Sequence, residues 1–136
     1  MEKEQQLIYY SEDDPLMARM FERIFRFSGF AVEIASDGDE AVSKLEVLSQ
    51  APAVIVLDVM MPKRSGFEVL EQIKKHSQYK DVPVIMLSNL AGKEDADRAI
   101  QMGAAEYLIK SQYQPKEIVE KVVEIIRTRA AQTPSV

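Results

Sequence analysis

Short apolar runs alternate along this chain with longer stretches whose apolar residues recur every third or fourth position. Leu7–Ser11 reads as a first strand and stops at the acidic cluster Glu12-Asp13-Asp14. Pro15 suits the first position of a helix, where its missing N–H costs nothing, and Asp14 suits the N-cap. Leu16, Met17, Met20, Phe21, Ile24 and Phe25 supply one apolar helix face, and Gly29 fits the C-terminal cap. Ala31–Ala35 predicts a second strand. Asp37 and Glu40 resemble a capping pair, and Ala41, Val42, Leu45 and Leu48 give a second helix its stripe.

Residues 53–57 (Ala-Val-Ile-Val-Leu) are continuously apolar between Pro52 and Asp58, the pattern of a strand buried on both faces. Ser65 and Glu68 form a capping box for a helix carrying Phe67, Val69, Leu70 and Ile73. Residues 83–87 predict a fourth strand, and 93–102 a helix ended by Gly103. A fifth strand is expected over 106–110 and a last helix over 115–127. Five strands alternating with five helices predict an α/β fold with a doubly wound parallel sheet. The flavodoxin-like order 2-1-3-4-5 suits this length. The domain is expected over residues 1–127, with 128–136 a polar C-terminal tail.

Composition narrows the chemistry. With 136 residues, 46% of them hydrophobic, the chain has the length of one domain, enough to bury a real core and too short for two domains. A formal charge of −5 without a basic stripe argues against binding nucleic acid or an anionic membrane through bulk electrostatics. The absence of Cys excludes a disulfide framework, a thiolate metal site and a Cys nucleophile. The single His76 excludes a multi-His metal site, and its polar surroundings predict a solvent-exposed loop. Neither a signal pattern nor a long apolar run is present, so a cytoplasmic location is expected.

In open α/β sheets the ligand crevice lies beyond the carboxyl ends of the strands. Those ends carry Glu12, Asp13 and Asp14 after strand one, then Asp58, Ser88 and Lys110 after strands three, four and five. Strands one and three are neighbours in the expected order, so Glu12, Asp13 and Asp58 should converge. Like charges about 4 Å apart repel by about 4 kcal/mol at an effective dielectric of 20. Such a cluster calls for raised pKa values or a hard cation with oxygen ligands, Mg²⁺ above all. Taken singly, each residue has a plainer reading: Asp14 as an N-cap, Ser88 as a turn residue, Lys110 as a surface lysine. Three acids, a hydroxyl and an ammonium on one sheet edge are poorly explained by independent accidents.

The ordered set resembles a response-regulator receiver domain, the phospho-acceptor module of two-component signalling. Glu12-Asp13-Asp14-Pro15 resembles its acidic pocket, and residues 54–62 with Gly66 its acceptor strand and loop. Residues 83–88 resemble the strand ending in the switch hydroxyl, and 103–110 the strand with the switch aromatic and the lysine. The resemblance implies that Asp58 accepts a phosphoryl group from a histidine kinase or phosphotransfer protein. It implies Mg²⁺ held by Asp13, Asp58 and the Met60 backbone carbonyl, with Glu12 acting through water. Lys110 would offset phosphoryl charge, and Ser88 and Tyr107 would switch the face made by the fourth helix, fifth strand and fifth helix toward a downstream protein. Such a module is no enzyme, although it assists its own phosphorylation and dephosphorylation.

The chain departs from the family pattern at several places. Ser stands at 88 where Thr is more frequent, Asn at 89 where a small residue is usual, and Ser111 where a proline would favour a cis bond. Met60 and Leu90 are apolar at positions that modulate phosphoryl lifetime, and Tyr9 and Tyr10 are bulky for a first strand. Other classes fit less well. An aspartyl-phosphate phosphohydrolase needs a second acid where Met60 stands, and an FMN carrier needs an anion-binding loop where the chain is acidic. A receiver-like adaptor that works without phosphorylation would not need the complete acceptor set. The nine residues after the last helix are too few for a DNA-binding effector, so a stand-alone receiver or a fragment of a longer protein is expected.

Overall fold

Strands that are apolar on both faces can be buried only between two layers of helices, and this chain follows that rule. The computed structural model describes residues 5–90 and 92–132. Its strands are β1 (Leu7–Ser11), β2 (Ala31–Ala35), β3 (Pro52–Asp58), β4 (Val84–Ser88) and β5 (Glu106–Ile109). They form one sheet in the order β2-β1-β3-β4-β5, every pair parallel. The helices are α1 (Pro15–Phe27), α2 (Gly38–Ser43), α3 (Gly66–Lys75), α4 (Lys93–Gln101) and α5 (Pro115–Gln132). This is the expected flavodoxin-like architecture.

Period-two alternation sorts the strand residues between two cores. Ile8, Tyr10, Val56 and Leu87 face α1 and α5, where Phe21, Phe25 and Val122 meet them. Tyr9, Ile55, Leu57 and Met86 face the opposite layer, packing with Ala41, Leu70, Ile73 and Ala99. The two tyrosines of β1 thus enter different cores, both with no exposed surface. Tyr9 can be buried because its hydroxyl donates to the Ala41 carbonyl at 2.6 Å. Burial, helped by the charges of Glu40 and Glu33, keeps that phenol well above its ordinary pKa, so it stays a neutral donor.

The caps follow sequence chemistry. Asp14 accepts from the Leu16 and Met17 amides, and Ser65 and Glu68 make the full capping box on α3. Gly29, at φ 98°, closes α1: its N–H reaches the Arg26 carbonyl at 3.0 Å and the Phe30 N–H that of Phe25 at 3.2 Å.

Three expectations need correction. The second helix is shorter than its stripe suggests and gives way to a 3₁₀ turn at Lys44–Val47, after the weak helix formers Val42 and Ser43. The last helix runs past Arg127 to Gln132, because Arg129-Ala130-Ala131-Gln132 favours helix and no Gly or Pro intervenes. Its end is tied down where the Arg129 guanidinium donates to the Asp81 carbonyl at 2.7 Å. Of the expected polar tail, residues 133–136 lie outside the described residues. His76 does lie in the loop just past α3, as expected, but its side chain is only 20% exposed and not in open solvent. Its ring packs 4.7 Å from that of Tyr79, and its Nε2 sits 2.7 Å from Glu46 Oε1, pinning the end of α3 to the 3₁₀ turn.

Candidate functional site

β1 and β3 lie side by side with Ser11 opposite Leu57, so the residues that follow them leave the sheet together. Glu12 extends the ladder by one bond to the Ala35 carbonyl (3.0 Å), and Asp58 closes β3. The result is a group of carboxylate oxygens from Glu12, Asp13 and Asp58 all within 4.8 Å of one another. Glu12 and Asp58 are buried, whereas Asp13 is exposed. Lys110, the first residue after β5, reaches in from the far side of the sheet. Its Nζ donates to Glu12 Oε1 at 2.8 Å and to Asp58 Oδ2 at 3.0 Å.

Three carboxylates around one ammonium leave excess negative charge, and the side chains register it. Burial pushes the Glu12 carboxyl up, the adjoining Asp58 adds to the push, and the Lys110 contact opposes it. Asp13 is also raised, chiefly by partial desolvation. Burial works against the Lys110 ammonium, but the Glu12 and Asp58 carboxylates outweigh it and its pKa stands above the ordinary lysine value. A hard cation among these oxygens would relieve the same excess, and the oxygen-only donor set fits Mg²⁺.

The β3–α3 loop is shaped by one close approach. A Cβ at Gly66 would overlap the Asp58 carbonyl, and the Gly66 N–H bonds the Val59 carbonyl at 2.9 Å. Met60 places its N–H 3.2 Å from Asp58 Oδ1 and leaves its side chain exposed. The cleft over the acids measures about 230 Å³ and is lined also by Asp14, Met17, Met60 and Asn89. It is smaller than the ~300–1,000 Å³ of sites for larger organic ligands and suits a cation with a small anion.

Ser88 is fully buried at the end of β4, with Oγ accepting from the Leu90 N–H at 2.9 Å. Tyr107 on β5 donates its hydroxyl to the Leu90 carbonyl at 2.9 Å. Both residues thus hold the backbone of Leu90, Ser88 at its N–H and Tyr107 at its carbonyl. No cis peptide occurs among the described residues, so Lys110–Ser111 is trans.

Sequence reasoning missed one residue of this site. The Tyr10 hydroxyl donates to Glu12 Oε1 at 3.2 Å, from a ring held edge-on by Phe21 and Phe25. Strand alternation contained the signal, since positions 10 and 12 project to the same side.

Fold and pocket together define an α/β module with an acidic, lysine-bridged cluster at the carboxyl edge of its sheet. The chain belongs to the response regulator receiver domain family, which matches residues 8–123. It is 34% identical over 127 residues to the "Probable transcriptional regulator ycf27" of Pyropia yezoensis, covering 93% of this chain and 50% of that one. It is 33% identical over 116 residues to the phosphate regulon transcriptional regulatory protein PhoB of Escherichia coli, covering 85% and 49%. The chain thus spans about half the length of the curated relatives it matches. Among solved structures, the CheY-like response regulator receiver domain protein of Methanospirillum hungatei superposes with a TM-score of 0.84 at 25% identity, over 95% and 99% of the two chains. The phosphorylated cyanobacterial phytochrome response regulator RcpA gives 0.82 at 27%, over 96% and 99%. Receiver domains are phospho-acceptor switches of two-component signalling and bind Mg²⁺ in an acidic cluster of this kind. No helix among the described residues is long and apolar enough to cross a membrane.

Proposed function

We propose that this chain is a phosphorylation-dependent switch in which Asp58 accepts a phosphoryl group from a histidine of a kinase or phosphotransfer protein. The observation that carries the reading is the buried Asp58 carboxylate held 3.0 Å from Lys110 within a cluster of three acids. An Asp58 oxygen attacks phosphorus, the P–N bond to the donor imidazole breaks, and the histidine leaves with the electron pair. Asp13, Asp58 and the Met60 carbonyl would hold Mg²⁺ directly, and Glu12 would act on it through water. When bound, the ion offsets charge on the transferring phosphoryl oxygens. Lys110 supplies a second counter-charge from its place beside Asp58. The chain acts on no separate substrate; the same groups assist transfer to Asp58 and later hydrolysis.

A phosphoryl group adds about −1.5 to −2 charges at the pocket. Ser88 donates its hydroxyl hydrogen to one of the new oxygens and releases the Leu90 N–H, which shifts the residue whose carbonyl Tyr107 holds. Tyr107 turns inward, and the α4–β5–α5 face changes for a downstream protein. The domain acts in the cytoplasm and contacts neither membrane nor nucleic acid with its own surface. In a longer regulator, DNA contact would come from outside the matched half.

The test is amide NMR with and without Mg²⁺ and beryllofluoride, a phosphoryl mimic, in wild type and Ser88→Ala. Wild-type shifts are expected to run from the pocket through Leu90 and Tyr107 to α5. In the variant they should stay at the pocket, separating chemistry from switching. Wild-type shifts confined to the pocket would overturn the switch and favour an adaptor that works without phosphorylation.

A further inference from the structure

We infer that Tyr10 is a positioning residue for the cation pocket: its buried hydroxyl is a fixed anchor that presents Glu12 and lets Lys110 serve the acceptor. The inference rests on the reading of this pocket as a Mg²⁺ site.

Glu12 is held at three points. Oε1 accepts from the Tyr10 hydroxyl at 3.2 Å and from Lys110 at 2.8 Å, and Oε2 accepts from the Asp14 N–H at 3.3 Å. Lys110 is also bound to Asp58, so one ammonium is divided between two carboxylates. A phosphoryl group arriving at Asp58 competes for that ammonium. The donors that remain on Glu12 are then Tyr10 and the Asp14 amide.

Tyr10 suits a fixed anchor because its ring has no freedom. It is fully buried, with the Phe21 and Phe25 rings 5.7 and 6.0 Å away in edge-on geometry. The hydroxyl projects from this aromatic wedge toward the sheet edge that carries the acids. A phenylalanine would fill the same space, so packing does not account for the oxygen. Tyr9 offers the contrast: its hydroxyl serves the Ala41 carbonyl in the other core, remote from the pocket.

Intact wild type, Tyr10→Phe and Tyr9→Phe are titrated with Mg²⁺ alone, by calorimetry and by NMR of the side-chain carboxyl carbons. Tyr10→Phe is expected to weaken Mg²⁺ binding by about three- to tenfold, the scale of an ordinary net hydrogen bond and less than a short bond to a charged group carries, as suits a 3.2 Å contact. It should also move the Glu12 carboxyl resonance in metal-free protein, a readout of orientation that packing loss elsewhere does not touch. Tyr9→Phe should lower thermal stability and leave both readouts unchanged. In wild type, the Tyr10 ring carbon bonded to the hydroxyl should shift in step with Mg²⁺ occupancy, which holds the test open even if the variant folds poorly. Equal affinities for wild type and Tyr10→Phe, or a Tyr10 signal indifferent to Mg²⁺, would overturn the inference alone. A wild type that does not bind Mg²⁺ would overturn the pocket reading and the inference with it.

Discussion

Replacing Asp58 with Asn keeps the shape of the acceptor but removes one negative charge, and without metal this should stabilise the fold. Taken at 4.8 Å and an effective dielectric of about 20, a carboxylate pair repels by about 3.5 kcal/mol. Lys110, at 3.0 Å, attracts Asp58 by about 5.5 kcal/mol on the same scale. Asp58 faces two carboxylates, of which exposed Asp13 counts for less, so attraction and repulsion nearly cancel. What remains is the desolvation of a carboxylate that is only 5% exposed, which an amide largely escapes. A gain of about 1–2 kcal/mol follows, or about 3–8 °C in Tm for a domain of this size. Urea denaturation in EDTA reads it directly. Saturating Mg²⁺ should narrow the gap, because the wild type gains binding energy in its folded state. If Asp58→Asn is the less stable protein in EDTA, the Lys110 contact outweighs the repulsion and the strained-pocket argument fails.

Two further outcomes follow from the same geometry. Asp13→Asn should weaken Mg²⁺ binding more than Glu12→Gln, since Asp13 is expected to touch the ion and Glu12 to act through water; titration calorimetry giving the reverse order would exchange the two roles. Glu12, whose folded-state pKa burial raises above the ordinary 4.5, binds its proton more readily in the folded chain than in the unfolded one. Its contribution is therefore complete below about pH 4.5 and is lost as pH rises through the folded value. In EDTA, Glu12→Gln should gain stability relative to wild type as pH rises above about 4.5, and a constant gap in denaturation curves would mean that Lys110 fully offsets burial.

Much of this molecule could be read before its coordinates, because its local signals agree with one another. The apolar run ending at Asp58, the acids closing β1 and the Ser65–Glu68 box each pointed to one topology, and topology brought Glu12, Asp13 and Asp58 together. What stayed hidden depends on where side chains end. Tyr9 and Tyr10 look alike in sequence, yet one phenol meets a helix carbonyl and the other a buried carboxylate. The double grip of Lys110 joins residues 98 positions apart in one case and 52 in the other. His76 lies in a polar stretch, and its partners come from a turn after α3 that brings back Tyr79 and from the distant 3₁₀ turn that supplies Glu46. The end of α5 is not marked by periodicity, because its apolar stripe stops before its helix propensity does.

The central claim is that Asp58 is the phospho-acceptor and that its chemistry needs the acidic pocket to hold a dication. Incubation with acetyl phosphate and Mg²⁺, followed by intact-mass measurement and peptide mapping, tests it most directly. One added phosphoryl group is expected, located at Asp58, absent in Asp58→Asn and absent when EDTA removes the metal. A phosphoryl group found on another residue, or added equally well in EDTA, would contradict it.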